Sequence, residues 1–355
     1  MAEKRDYSLT GPENERALQN GLATAQWYSC TVSRKELKEL MKREDAPAIR
    51  DTAIWLGVIL ASGIIGYLTW RDWWCIPAFF IYGVMWGSAS DSRWHECGHG
   101  TAFRTRWMND AVYNLASFMI FREPTCWRWS HTRHHTDTII VGRDPEIGVP
   151  RPPDFVDMLL NTVALKTAYK EIGEIARHCT GKLTDEEKSY IPEMEWPKVF
   201  RTARIWAAIY LSVILLALAT KSWLPLMYVG LPTLYGAVLH RIFGLTQHAG
   251  LAEDVLDHRL NSRTIHMNAV SRFIYWNMNY HVEHHMFPMV PYHALPKLHT
   301  LIKADCPPPY PSTWSALMEI FPALLRQSRD PTYFIQRQLP PKAIPLATPS
   351  FQTAE

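Results

Sequence analysis

Apolar and polar positions along this chain fall in long blocks rather than alternating turn by turn. Residues 52–70, TAIWLGVILASGIIGYLTW, carry no charge, and after Arg71 and Asp72 a second uncharged block, WWCIPAFFIYGVMWGSAS, fills 73–90. The pattern recurs at 205–220, IWAAIYLSVILLALAT, and across Lys221 at 222–239, SWLPLMYVGLPTLYGAVL. A helix that crosses the hydrocarbon of a bilayer needs about 20 apolar residues, within a range of about 17–25. The third block is short and is expected to rely on Trp206 and on snorkelling Arg204 and Lys221. Pro225 and Pro232 are expected to kink the fourth. Buried core helices of a soluble protein are the alternative, but four near-charge-free blocks paired as hairpins are more than a soluble domain usually contains. The expected fold class is all-α integral membrane, with four transmembrane helices in two hairpins.

Two hairpins leave the N-terminal segment 1–50, the middle stretch 91–204 and the C-terminal third on one side. That side carries Arg34, Lys35, Lys38, Lys42, Arg43 and Arg50 before the first block, and Arg93, Arg104 and Arg106 after the second; the other side has only Arg71 and Lys221 in its turns. The positive-inside rule makes the basic side cytoplasmic. The first thirty residues are polar and charged, so no cleavable signal is expected in them. The expected organisation is a cytoplasmic segment 1–50, a membrane domain 51–302 and a Pro-rich segment 303–355. The last, from Cys306-Pro-Pro-Pro through Leu339-Pro-Pro to Glu355, reads as an extended wrap ending in disorder.

A net charge of +3 gives no electrostatic reason to expect a nucleic-acid partner. Fifteen Trp and fifteen Tyr accompany a mean hydropathy of only −0.16, which fits rings seated at membrane interfaces. The six cysteines are scattered without a CxxC pair, so neither a disulfide framework nor a thiolate metal site is indicated.

The candidate chemistry lies in nine histidines: His95 and His99 in HECGH, His131, His134 and His135 in HTRHH, His248 in TQHAG, and His281, His284 and His285 in HVEHH. On a helix, positions i, i+3 and i+4 share a face, so each HxxHH aims three rings one way. Imidazole is the commonest neutral ligand for iron, zinc and copper. HECGH also matches HExxH of zinc hydrolases, whose Glu acts as base; a membrane metalloprotease would leave both HxxHH clusters unexplained. A metal-buffering membrane protein would not need three convergent helical faces. Eight or nine neutral imidazoles are too many for one ion. With no thiolate and few carboxylates, a two-iron centre that activates dioxygen is more natural than zinc. A helical cytoplasmic cap holding this di-iron site at the membrane junction is expected. Carboxylates near the boxes, Glu96, Asp137, Asp144 and Glu283, are candidates to orient ligand rings through their outer nitrogens. Trp127 and Trp129 are expected to anchor at the membrane interface, with lining a substrate passage as the alternative; the positive-inside bias alone predicts Arg122, Arg128, Arg133 and Arg143, with holding an anionic head group as the alternative.

HECGH, HTRHH and HVEHH, with NMNYHVEHHMFPMVPYHALPKLH around the last, resemble the three histidine boxes of the membrane fatty acid desaturase and hydroxylase superfamily. The resemblance covers roughly residues 50–300. It implies a mushroom-shaped helical membrane fold and a non-haem di-iron centre held by the eight box histidines, with His248 as the extra ligand outside the boxes. Where animal stearoyl-CoA desaturases place an Asn one turn before that extra His, this chain has Gly244; Asn277, one turn before His281, is the substitute candidate. Asp144-Pro145-Glu146 resembles the segment that follows the second box in many relatives and is expected to be a structural loop. The sequence has no HPGG haem motif, no CxxC pair and no GxGxxG, so electrons are expected from a separate ferredoxin or similar donor and its reductase. The implied reaction is O2-dependent attack on an unactivated C–H bond of an aliphatic or fatty acyl substrate, desaturase-like. Hydroxylation of an alkane or small metabolite such as rhizopine is the open alternative, and a bacterial inner membrane is the expected location.

Overall fold

The computed structural model describes residues 5–341; among them are helices and loops, with two isolated β-bridges and no β-strand. The first apolar block lies in the helix Asp45–Leu68 and the third in Trp196–Thr220. The latter starts well ahead of the block because Pro197 stands in its first turn, where a missing N–H costs nothing. Counted with the short segments that lead into them, Arg34–Leu68 and Glu193–Thr220 are the two helices among the described residues that are long and apolar enough to cross a membrane.

The other two blocks are built differently. The second forms an α-helix over Cys75–Gly83, loosens into a π-helical turn at Val84–Ser88 and resumes as Ala89–Gly98. His95 therefore sits on the same rod as the apolar block. Side chains within the π turn bond outward: Trp86 Nε1 donates to the Met119 carbonyl (2.8 Å) and Ser88 Oγ to that of Gly236 (2.5 Å). Such turns recur at functional sites, where they re-aim the helix that follows. The fourth block is not one kinked helix. It breaks into Leu224–Tyr228, Leu231–Tyr235 and Val238–His248, with Gly230 at φ 96° between the first two. Pro225 and Pro232 each stand in the first turn of a short helix, the position proline tolerates, rather than inside a long one.

The two hairpins pack together. Tyr228 donates its hydroxyl to the Gly63 carbonyl (2.6 Å), and Tyr82 donates to the carbonyl of Tyr228 (3.0 Å). At the closest approach a Cβ on Gly236 would run into the Gly83 carbonyl, so small residues let these backbones meet. The outer faces are apolar and open: Leu60 is 65 % exposed and Leu218 68 %, with Phe80 and Leu215 beside them in the same condition. An apolar sheath of this extent suits lipid rather than water. Trp73, Trp74 and Trp223, in or beside the hairpin turns, are also exposed, as interfacial anchors are.

Both ends of the described chain close over the histidines. Trp27 stacks on His258 at 4.4 Å, and His258 in turn stacks on His285 at 5.1 Å. The segment from 303 onward is not extended throughout. It contains a helix, Thr313–Gln327, opened by a Ser312/Ser315 capping box, whose residues Ala316, Ile320 and Leu324 pack against Ala249 and Ile265. That i, i+4, i+8 stripe outweighs the interior Pro322. The expected disordered end, from 342 to Glu355, lies outside the described residues.

Candidate metal centre

Four segments deliver the nine rings. His95 lies on Ala89–Gly98 and His99 caps its C-terminus. His131, His134 and His135 lie on Pro124–Thr136, which Glu123 caps by accepting from the Cys126 N–H at 2.7 Å. His248 is the last residue of Val238–His248, and the short helix His281–Met286 carries the remaining three. The segments are distant in sequence, yet their rings converge. His95, His99, His131, His135 and His284 offer nitrogens within 4.8 Å of one another, and His134, His248 and His285 form a second such group. His281 adjoins the second group, its Nε2 3.0 Å from those of both His248 and His285.

The outer nitrogens show which way the rings are set. His131 Nδ1 is 2.9 Å from Glu146 Oε2, and His134 Nδ1 is 2.8 Å from Asp144 Oδ2. His248 Nδ1 donates to the Asn261 carbonyl at 2.7 Å. Thr138 commits its hydroxyl proton to the His134 carbonyl, so its oxygen accepts from His285 Nδ1 at 3.3 Å. With the proton held on Nδ1, each of these rings turns an Nε2 lone pair inward. There His131 Nε2 lies 3.2 Å from those of His99 and His135, and His95 Nε2 lies 2.7 Å from that of His284. Two imidazoles bound to one ion at about 2.1 Å and a right angle hold their nitrogens about 3 Å apart. Lone pairs facing one another at that spacing are satisfied by cations between them, so the residues fit a metal centre.

The electrostatics agree. Burial, then the neighbouring rings, push His95, His99, His135, His281, His284 and His285 well below the usual imidazole range. His248 is lowered in the same way, by burial and then by His134. All seven stay neutral, the form that binds metal. For His134 burial also disfavours charge, but the charge of Asp144 and the hydrogen bond to it carry the pKa upward. Burial would raise Glu146, yet His131 brings it down to about 2, so it remains an anion against that ring.

Of the residues proposed from sequence to orient the rings, Asp144 does so. Glu96 instead accepts from Thr101 Oγ1 (2.7 Å) and from the Tyr292 N–H (3.0 Å), and burial raises it to about 7. Turned away from the rings, it is not placed to act as a base beside a metal as HExxH chemistry requires. Asp137 pairs with Arg143 (2.6 Å), Glu283 binds His299 and Thr264 (both 2.5 Å), and Asn277 donates to the Tyr292 carbonyl (3.0 Å). Glu146 was not singled out as a ring partner, although it belongs to the same Asp-Pro-Glu tripeptide as Asp144. The Asp144 carboxylate accepts from the N–H groups of Ile139 and Glu146, folding the loop so that both acidic side chains reach box two. The Asn261 carbonyl carries no side-chain signal and was not legible.

A cavity of about 680 Å³ opens onto His95, His131, His134, His248 and His281. Trp127 lines it, while Trp129 packs against Leu183 and Ile191 instead. Of the four arginines near box two only Arg122 reaches the cavity; Arg128 pairs with Asp110, and Arg133 and Arg143 with Asp137. Gly244, one turn before His248, also lines it, and a Cβ there would meet nothing within 4 Å.

Comparison with known proteins matches residues 46–316 to the fatty acid desaturase family model. A Δ12-acyl-lipid desaturase of Punica granatum is 32 % identical over 90 residues, 25 % of this chain and 21 % of that protein. An sn-1 oleoyl-lipid 12-desaturase of Synechocystis is 30 % identical over 101 residues, 28 % of each chain. A fatty acid conjugase of Calendula officinalis is 23 % identical over 270 residues, 66 % of this chain and 68 % of that one. The chain thus spans less than a third of the length of the first two relatives.

Proposed function

The chain belongs to the fatty acid desaturase family, and from that premise we propose that it is a membrane-bound, O2-dependent non-haem di-iron oxidoreductase acting on an unactivated C–H bond. The observation that carries this reading is the convergence of nine histidines from four segments, four of them with Nδ1 fixed and Nε2 turned inward. In this reading His95, His99, His131, His135 and His284 hold one iron, and His134, His248, His281 and His285 the other. Bound there, the pair of irons would supply dioxygen activation and hydrogen abstraction from an aliphatic or fatty acyl substrate.

The chain's own residues do the rest. Glu146, Asp144, Thr138 and the Asn261 carbonyl fix ring tautomers, and Trp27 and His258 cover the far side against water. The apolar helices with their exposed faces are proposed as four crossings, the second and fourth irregular. The box helices form a cytoplasmic cap, with both termini cytoplasmic in a bacterial inner membrane. A separate ferredoxin-like donor with its reductase supplies two electrons from the cap side.

Glu146→Gln keeps the hydrogen-bond acceptor but removes the charge that polarises His131. Losing an outer partner of this kind costs about 10–100-fold in metal affinity; iron retained on dialysis against a chelator measures it. The function itself is tested by growing cells that express the protein with a ferredoxin system under ¹⁸O₂ and resolving lipids and metabolites by mass. A product lighter by two hydrogens and free of label is expected. One labelled oxygen in the product would make the enzyme a hydroxylase, and the absence of any iron-dependent product would sink the reading.

A further inference from the structure

The cavity beside the histidines is not the apolar tube that a hydrocarbon chain alone would need. Four carboxylates line it, and each already has a partner: Asp91 the Arg122 guanidinium (2.6 Å), Glu146 the His131 ring N–H (2.9 Å), Glu253 the Arg151 guanidinium (3.2 Å), and Asp157 the Lys166 ammonium. Arg241 lines the same cavity, and among the described residues its side chain makes no hydrogen bond or ion pair; its Nε is buried without a partner. Beside it His240, which burial lowers to about 3, stays neutral and adds no charge of its own. The nearby Glu171 is pushed up to about 8 by burial and then by Glu174, so it is largely uncharged at neutral pH. Asp91 is the charged carboxylate that acts on Arg241, but its hydrogen bond goes to Arg122, so the two arginines share a single anion.

Its position follows from helix geometry. Arg241 precedes His248 by seven residues on Val238–His248, two turns along one face and about 10 Å of rise. Asp91 precedes His95 by four on its own helix, so the Asp91–Arg122 pair stands one turn from the rings. Arg122 is further held between Trp94 and Trp127, at 4.3 and 4.6 Å from their centroids. Arg122 is thus committed, and Arg241 is left on the cavity wall without a hydrogen-bonded carboxylate of its own.

We infer that Arg241 binds a compact anionic group of the substrate, a carboxylate or a phosphate, within about 10 Å of the metal-binding rings. The substrate class is then an aliphatic molecule whose anionic end enters the same cavity as the rings, rather than a membrane lipid whose head group stays at the bilayer surface. This rests on the proposed function only in taking the cavity as the substrate site.

The test uses iron-loaded full-length protein in nanodiscs, with binding of hexanoate, hexyl phosphate and the uncharged hexanamide measured by calorimetry. One or both anions should bind at least about tenfold tighter than the amide, as a charge-assisted hydrogen bond supplies; which one does identifies the group. Arg241→Gln should abolish that preference while leaving iron content and hexanamide binding unchanged. Should Arg241→Gln not fold, Arg241→Lys keeps the charge but not the fork and should weaken anion binding severalfold. Equal affinity for anion and amide, or anion affinity unchanged in the variants, would overturn the inference. Binding is read without turnover, so a protein that prefers anions yet consumes no oxygen would sink the oxidase reading and leave this one standing.

Discussion

Replacing His284 with Ala is expected to give a protein that reaches the membrane and folds but holds little iron and consumes no oxygen. His284 is fully buried, and its Nε2 lies 2.7 Å from that of His95 and 3.2 Å from that of His135, joining box three to the first two boxes. Its Nδ1 has no partner among the described residues, so no other bond is lost with the ring. Removing a direct ligand should cost more than the roughly 10–100-fold that an outer partner costs. His266→Ala, at an exposed position outside the cluster, is the control and should keep both properties. Iron per protein chain and oxygen uptake are the readouts. Full iron content and undiminished uptake in His284→Ala would remove the basis of the proposed centre.

The metal-free protein should lose stability steeply as the pH falls below about 6.5. That is the free imidazole value, and the seven rings with depressed pKa bind protons more readily in the unfolded chain than in the folded one. Above the free value they are neutral in both states and contribute no pH dependence. Between it and the folded values, each can remove up to about 1.4 kcal/mol per pH unit of acidification. His134 works the other way: its raised pKa stabilises the fold below about 6.5, an effect lost as pH rises through its folded value. One such ring does not offset seven. Thermal midpoints of the iron-free protein should therefore fall sharply between about pH 6.5 and 5.5, and bound iron should move that fall to lower pH by excluding the protons. A midpoint that stays flat from pH 7.5 to 5 would show that the rings are not buried neutral.

What the sequence determined is what depends on local period and residue type. Uncharged blocks of span length, imidazoles at i, i+3 and i+4, and the absence of cysteine pairs are readable because each is fixed by neighbours within one or two turns. They were enough to name all nine histidines, the all-helical class and the family. The tertiary structure decided the rest. Whether an apolar block runs as one helix depended on contacts such as Ser88 with Gly236 across the two hairpins, and on where Pro225 and Pro232 fell relative to helix starts. Which carboxylate orients which ring depended on how the 137–146 loop folds back: Glu146 reaches His131, whereas Glu96, inside box one itself, turns to Thr101 and Tyr292. The unpaired Arg241 is visible only once every other charge lining the cavity has found its partner. Such pairings are set by the distance between side chains on segments far apart in sequence, and neither hydropathy nor spacing encodes that distance.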